Sequence, residues 1–341
     1  MPHNSNKPAA DQVLIAANPR AGAYRQEEPL CILAERLRSA GMSVTISSNL
    51  DEVTAAAIEC HAAGRLKALI AAGGDGTVAE IVNRTPPGLP ITVFPQGTAN
   101  LLAHHLGITA DPLAVCRTVL FGSRFNIDAG RANGRVFLLM VGCGFDADVV
   151  ERLHRGRSGH IRYWSYAKPI LAAIRNYEYP EFRITCQSAS GVTEHTMVVA
   201  RWAFAVNLPC YAGGLRLAPR ATATDGLLDV CTFARGSLWH GLRYLSHVVL
   251  GRHGSLDDCR THLTPRLRIE SDRSVPYQLD GDPGGFLPLE IEVLRGRMTL
   301  LAPAACAAQL GSDLAAETVP PAERVPSVSP APAYSAGTAV T

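Results

Sequence analysis

The first hundred residues alternate short apolar runs with amphipathic stretches, and this alternation restricts the possible folds more than any other feature. Val13 to Ala17 reads as a strand, and Glu27 to Ser39 as a helix carrying Leu30, Leu33 and Leu37 on one face. Ser43 to Ser47 is the next strand, and Asp51 to Ala63 the next helix, capped by Asp51 or Asn49. Ala68 to Ala72 forms a third strand, Thr77 to Val82 opens a helix, Ile91 to Phe94 is a fourth strand, and Thr98 to Leu106 a further helix. Strands separated by helices on a repeat of about 25 residues join through right-handed crossovers into a parallel sheet. The predicted N-terminal domain is α/β and doubly wound.

Near Ala129 the pattern changes. Arg135 to Val141, Thr196 to Leu208, Leu227 to Phe233, Leu267 to Glu270 and Pro288 to Leu301 read as strands joined by turns, which predicts an antiparallel β-rich, sandwich-like second domain. Two helical inserts interrupt it, at Ile161 to Asn176 and Leu238 to Leu250. The expected organisation is a first domain over 12–129, a second over 130–302 whose last segment can return to the first, and a disordered Pro/Ala-rich tail over 311–341. Nine cysteines with no Cys-x-x-Cys pair argue against zinc ribbons and disulfide frameworks and fit a reducing cytoplasm. No signal peptide or transmembrane helix is expected, since the apolar runs fall short of the ~20 residues that span a bilayer. The net charge of +2 gives no reason to expect a nucleic-acid partner. Of the 32 basic residues, only Lys7, Lys67 and Lys168 are lysine, so a bound phosphate would meet mostly guanidinium forks.

Several phosphate and catalytic signatures are missing. No Gly-Lys dipeptide occurs, which excludes a Walker A loop, and H-R-D, D-F-G, G-x-S-x-G and H-E-x-x-H are likewise absent. Gly142-Cys-Gly144-Phe-Asp-Ala147 matches a dinucleotide fingerprint but lacks the acidic residue expected about twenty positions later, so it is read as a glycine-rich turn.

The informative segment is Ala71-Ala-Gly-Gly-Asp-Gly-Thr-Val-Ala-Glu80, placed where a parallel strand ends and a helix begins. Gly73, Gly74 and Gly76 let backbone N–H groups converge on phosphate oxygens, and the helix adds its positive end. Asp75 among them suggests Mg²⁺ coordination or deprotonation of an attacking hydroxyl. Phe94-Pro-Gln-Gly-Thr-Ala-Asn-Leu-Leu102 repeats the arrangement, with Gly97 for close approach, Thr98 at a helix start and Asn100 in the first turn. Asn18-Pro-Arg-Ala-Gly22 follows the first strand. Three such loops lie along one edge of the sheet, where one polyphosphate ligand can touch them all.

Together, Asn18-Pro19 with Gly22, the Gly-Gly-Asp-Gly-Thr motif with Glu80 and Asn83, and Pro95-x-Gly-Thr-x-Asn100 resemble the diacylglycerol kinase catalytic domain of bacterial soluble lipid kinases. Gly144-Phe-Asp-Ala147, Ala212-Gly-Gly214, Leu217-Ala-Pro219, Thr224-Asp-Gly-Leu-Leu-Asp229 and Leu279-Asp-Gly-Asp-Pro283 extend the similarity over roughly Val13 to Leu301. The resemblance implies transfer of the γ-phosphoryl of ATP to a membrane lipid alcohol, diacylglycerol by default. It implies ATP contacts at Asn18, Pro19, Arg20, Ala21 and Gly22, at Gly74, Asp75, Gly76, Thr77, Val78, Ala79 and Glu80, and at Thr98, with a further contact at Ser47 or Ser48, about where the family has threonine. It also implies Mg²⁺ held by Asp225 with backbone oxygens of Thr222 and Leu227, an all-oxygen set suited to a hard ion. The resemblance places the proton acceptor at Asp282, where the family usually has glutamate. The carboxylate is there retracted by ~1.3–1.5 Å, so the backbone compensates, a water bridges, or Asp75 takes the role of base.

A lipid substrate requires transient peripheral contact with a membrane. Between 151 and 176, Arg152, Arg155, Arg157, Arg162, Lys168 and Arg175 oppose only Glu151 and are interleaved with Tyr163, Trp164 and Tyr166, which suits an anionic bilayer interface. The second insert, with Trp239, Arg243, Tyr244 and Arg252, is similar but weaker. The competing readings are an NAD kinase-like soluble metabolite kinase and a non-catalytic nucleotide- or lipid-binding regulator.

Overall fold

The computed structural model describes residues 10–19, 27–155, 177–188, 195–209 and 215–310. The expected loop Arg20 to Gly22, the insert over 156–176, Ala212 to Gly214 and the tail after 310 lie outside them.

Four strands, β1 (Gln12–Ala17), β2 (Ser43–Ser47), β3 (Leu66–Gly73) and β4 (Pro90–Pro95), pair in parallel in the order β2-β1-β3-β4. Their connections carry α1 (Glu27–Ser39), α2 (Leu50–Ala62) and α3 (Asp75–Arg84). Asn49 caps α2, accepting hydrogen bonds from the N–H groups of Asp51 and Glu52. Alternation along β1 settles the layering: Val13 and Ile15 pack with Leu33 and Leu37 of α1, whereas Leu14 and Ala16 pack on the opposite side with Val53, Val78 and Ile81 of α2 and α3.

After β4 the reading needs correction. The helix expected from Thr98 begins only at Leu101 (α4, Leu101–His105), because Asn100 adopts a left-handed conformation with φ 47°. A helix the sequence analysis did not place, α5 (Pro112–Phe121), starts on Asp111, whose carboxylate accepts from the N–H groups of Leu113 and Ala114, with proline in its first turn.

The rest of the chain pairs antiparallel, apart from the contact of its last strand with β4: β5 (Ser123–Ala132), β6 (Arg135–Phe137), β7 (Met140–Gly144), α6 (Phe145–Arg155), β8 (Phe182–Gln187), β9 (His195–Ala200), β10 (Trp202–Val206), β11 (Leu228–Phe233), α7 (Leu238–Val249), β12 (Cys259–Thr264), β13 (Arg266–Glu270), β14 (Pro276–Leu279), β15 (Asp282–Phe286) and β16 (Leu289–Ala302). One sheet runs β12-β11-β10-β7-β14-β15. The other continues the parallel sheet as β4-β16-β13-β8-β9, with β5 pairing both β16 and β6. Val141, Ala205 and Val230 of the first face Phe182, Ile269 and Ile291 of the second across a shared apolar core. The single strand expected over Thr196 to Leu208 is two strands in different sheets. The one expected over Arg135 to Val141 breaks because the N–H groups of Leu138, Leu139 and Met140 turn out of the ladder to the Asp280 carboxylate. Gly142 to Ala147 is a strand-to-helix junction rather than a turn. A Cβ on Gly142 would lie 2.3 Å from Oδ2 of Asp146, which accepts from Gln278, so side-chain packing explains this glycine.

β16 joins the two halves. Its first part alternates, with Leu289 and Ile291 inward; its second part, Met298 to Ala302, is buried on both faces and pairs in parallel with β4 through Thr299 and Leu300. Helix α3 is held at three places. Asp75 bonds α4, the Arg297 guanidinium of β16 donates to the carbonyls of Val82 and Thr85, and Asn83 pairs with both main-chain groups of Val136 at 2.9 Å. Asn83→Ala leaves that Val136 pair without partners and is expected to cost about 2–3 kcal/mol, read as a lower urea midpoint with an unchanged slope.

Candidate active site

The glycine loops meet at the carboxyl ends of β3 and β4. A Cβ on Gly97 would lie 2.5 Å from the Gly74 Cα, so the two loops approach as closely as they do only with glycine at this position. Asn100 locks the second loop: its Oδ1 accepts from the Gly97 N–H and its Nδ2 donates to the Gly97 carbonyl, both at 2.8 Å. Thr98 is exposed in that loop, ahead of the helix rather than in its first turn.

Asn18 sits beside them, its Nδ2 donating to the Thr77 hydroxyl at 3.0 Å and its N–H to the Ala72 carbonyl. Thr77, Val78 and Ala79 are buried, so Val78 and Ala79 can offer a ligand little beyond main-chain atoms. Pro19 is exposed in the turn after β1. Ser47 ends β2 opposite Ala16, and its hydroxyl is engaged with Glu52 and the Asn49 N–H. Glu80 forms ion pairs with Arg84 and Arg135.

Asp75 is half-buried and fully engaged. Its carboxylate accepts from the N–H groups of Leu101 at 2.8 Å and Leu102 at 3.0 Å, which braces the N-terminus of α4 against the first glycine loop. Burial raises its carboxyl above the ordinary value, against the lowering by those two N–H groups.

The second domain delivers Asp282. Its Oδ2 lies 3.7 Å from where a Cβ on Gly76 would stand, and 3.8 Å from Arg135 Nη2, which is equally 3.8 Å from Glu80. The hairpin carrying it is fixed by Asp280, a residue with φ 51° whose carboxylate accepts three main-chain N–H groups at 2.7–2.9 Å. Sequence reasoning treated this segment as a turn bearing one functional acid and missed both Asp280 and Arg135. The Asp280-Gly281 dipeptide, a pair that tolerates a left-handed aspartate, was the available local signal for Asp280.

Asp225 belongs to a different part of the molecule. It is exposed, its Oδ1 accepts from the Leu227 N–H, and its loop is held by Asp128, which accepts from the N–H groups of Gly226 and Gly296 at 2.7 Å. Burial, and secondarily the charge of Asp225, push Asp229 up to about 6. The two carboxylates, Asp225 and Asp229, are close enough for their charges to interact and are oxygen donors of the kind a hard cation takes. Among the described residues, no cluster of three His, Cys, Asp or Glu side chains could hold a metal.

Residues 12–132 match the diacylglycerol kinase catalytic domain, and residues 139–302 match the YegS C-terminal NAD kinase beta sandwich-like domain. A diacylglycerol kinase of Mycobacterium tuberculosis (strain ATCC 25618 / H37Rv) is 30% identical over 243 residues, covering 69% of this chain and 77% of that protein. The chain belongs to the diacylglycerol kinase family. A diacylglycerol kinase of Bacillus subtilis (strain 168) is 27% identical over 307 residues, covering 87% of this chain and 98% of that one. The crystal structure of a diacylglycerol kinase from Bacillus anthracis str. Sterne shares the fold, with a TM-score of 0.64 at 23% identity over 86% of this chain and 98% of that chain. Family membership makes this kinase a phosphotransferase and implies ATP as its donor. Among the described residues no helix is long and apolar enough to cross a membrane.

Asp280 gives this kinase a testable pH dependence. Burial, with a contribution from the charge of Asp75, pushes its carboxyl from 3.8 up to about 6 against the three N–H groups that lower it. The folded chain therefore holds this proton more tightly than the unfolded chain. Its contribution to stability is fully present below pH 3.8 and lost as pH rises through about 6. Activity is expected to move oppositely, because the ionised carboxylate is the better acceptor for the hairpin that places Asp282. kcat/KM should rise with an apparent pKa near 6, and Asp280→Asn should abolish both trends.

Proposed function

We propose that this chain is an ATP-dependent lipid kinase that transfers the γ-phosphoryl group to the hydroxyl of a membrane lipid, with diacylglycerol giving phosphatidic acid. The observation that carries the reading is Asp282, an acid of the second domain standing against Gly76 in the glycine loop of the first. A base so placed faces the acceptor side of a phosphate held by the loops. ATP would lie along the loops at Asn18, Gly74 to Glu80 and Thr98, its phosphates at the N-terminus of α3. As the lipid oxygen bonds to the γ-phosphorus and the bond to the β,γ-bridging oxygen breaks, Asp282 accepts the hydroxyl proton. Arg135, 3.8 Å from Asp282, is the nearby cation available to orient it. Asp225 with the main-chain oxygens of Thr222 and Leu227 would hold Mg²⁺, which supplies positive charge to a loop rich in carboxylates. The protein would act at the cytoplasmic face of a membrane as a peripheral enzyme.

The test is incubation with radiolabelled ATP and vesicles containing diacylglycerol and, separately, with NAD. Label in the chloroform phase supports the reading. Label in NADP, or ATP binding without transfer to lipid, overturns it.

A further inference from the structure

The outward face of α7 is apolar where a surface helix is ordinarily polar. At 3.6 residues per turn, Trp239, Leu242, Ser246, Val249 and the following Leu250 share one face. Trp239 is 77% exposed, Leu242 40%, Val249 59% and Leu250 65%. Ser246, the one polar residue in the strip, turns its hydroxyl back to the Arg243 carbonyl at 2.8 Å. The strip thus presents a continuous apolar surface to its surroundings.

Packing among the described residues does not require this face. The helix is anchored by its opposite side, where Tyr244 is buried, donates to Asp258 at 2.7 Å and lies 4.6 Å from the Phe233 ring. The helix LWHGLRYLSHVV contains no acid, and His240, Arg243 and His247 lie along its flank. Arg252 is exposed just past its end. Arg235 and Arg243 face Asp257 and Asp258 at 3.7–3.9 Å, so the acids of this region sit on the flank among arginines, away from the apolar strip.

We propose that the α7 face inserts into the interface of an anionic phospholipid bilayer. An apolar strip with a tryptophan and flanking cations matches the layered chemistry of that interface, with apolar groups at acyl depth and guanidinium groups at the headgroup phosphates. The inference deepens the lipid-kinase reading and rests on it for the need to reach a bilayer.

The full-length protein, without ATP, is sedimented with vesicles of phosphatidylglycerol and phosphatidylcholine. The combined Trp239→Ser, Leu242→Ser and Leu250→Ser variant is expected to partition at least about tenfold more weakly than the wild type. A control carrying Phe121→Ser and Met197→Ser, exposed apolar positions on other elements, should bind as the wild type does. Phosphorylation of a short-chain, water-soluble diacylglycerol should be unchanged in the triple variant while phosphorylation in vesicles falls. Unchanged partition of the triple variant overturns the proposal, as does equal wild-type binding to pure phosphatidylcholine. A wild-type dimer that the triple variant converts to monomer, with no change in vesicle binding, assigns the face to a second copy and also overturns it. If no lipid is phosphorylated yet partition depends on the three residues, the kinase reading fails and the membrane face stands.

Discussion

Replacing Asp282 with asparagine is expected to lower phosphoryl transfer to lipid by about 10²–10⁴-fold while leaving the unfolding midpoint unchanged. The two effects separate because Asp282 is 44% exposed and its ion-pair partner Arg135 stands 3.8 Å away. Loose, solvated pairs of this kind contribute ~0–1 kcal/mol. Loss of a proton acceptor therefore acts on kcat, and the dissociation constant for ATP, measured by calorimetry, should not move. Asp282→Glu adds one methylene, extending the reach of the carboxylate by ~1.3–1.5 Å towards the length usual in the family. Activity within about tenfold of wild type is expected for that variant. Wild-type kcat in Asp282→Asn would remove this residue from the reaction.

The parallel half of the molecule was legible because its information is local. β1, β3 and β4 are apolar runs bounded by glycine turns, and each glycine loop is a contiguous motif. What binds the halves together is not local. β16 completes the parallel sheet beside β4, yet Thr299 and its partner Pro90 lie far apart along the chain, and no periodicity announces which sheet a strand joins. Asp280 reads as the first residue of an exposed Asp-Gly turn until Leu138, Leu139 and Met140 are seen to donate to it. The same three bonds interrupt the strand that the apolar pattern predicts over Arg135 to Val141. One tertiary contact thus accounts both for a missed site residue and for a misjudged element. Helix α5, by contrast, is signalled locally, since Asp111-Pro112 is a capping pair visible in the sequence.

Asp75 is where the motif and the geometry suggest different chemistry, and its variants decide between them. As a motif residue it is a candidate base. In the fold both of its oxygens accept main-chain N–H groups of α4. A brace of this kind contributes stability and holds the Gly97 loop against the Gly74 loop, so Asp75→Ala is expected to lower stability by about 2–4 kcal/mol. Loosening the loops should raise the KM for ATP and lower kcat/KM by about 10²-fold or more, because small displacements of a phosphate cradle act directly on alignment. Asp75→Asn should fall between the two proteins: its carbonyl keeps one of the N–H groups, while its amide faces the other donor to donor. A base without a bracing role predicts another pattern, with kcat reduced in both variants and stability and the KM for ATP unchanged. Urea unfolding together with initial rates over a range of ATP concentrations separates the two, and a stable Asp75→Ala protein with wild-type KM would return Asp75 to the reaction itself.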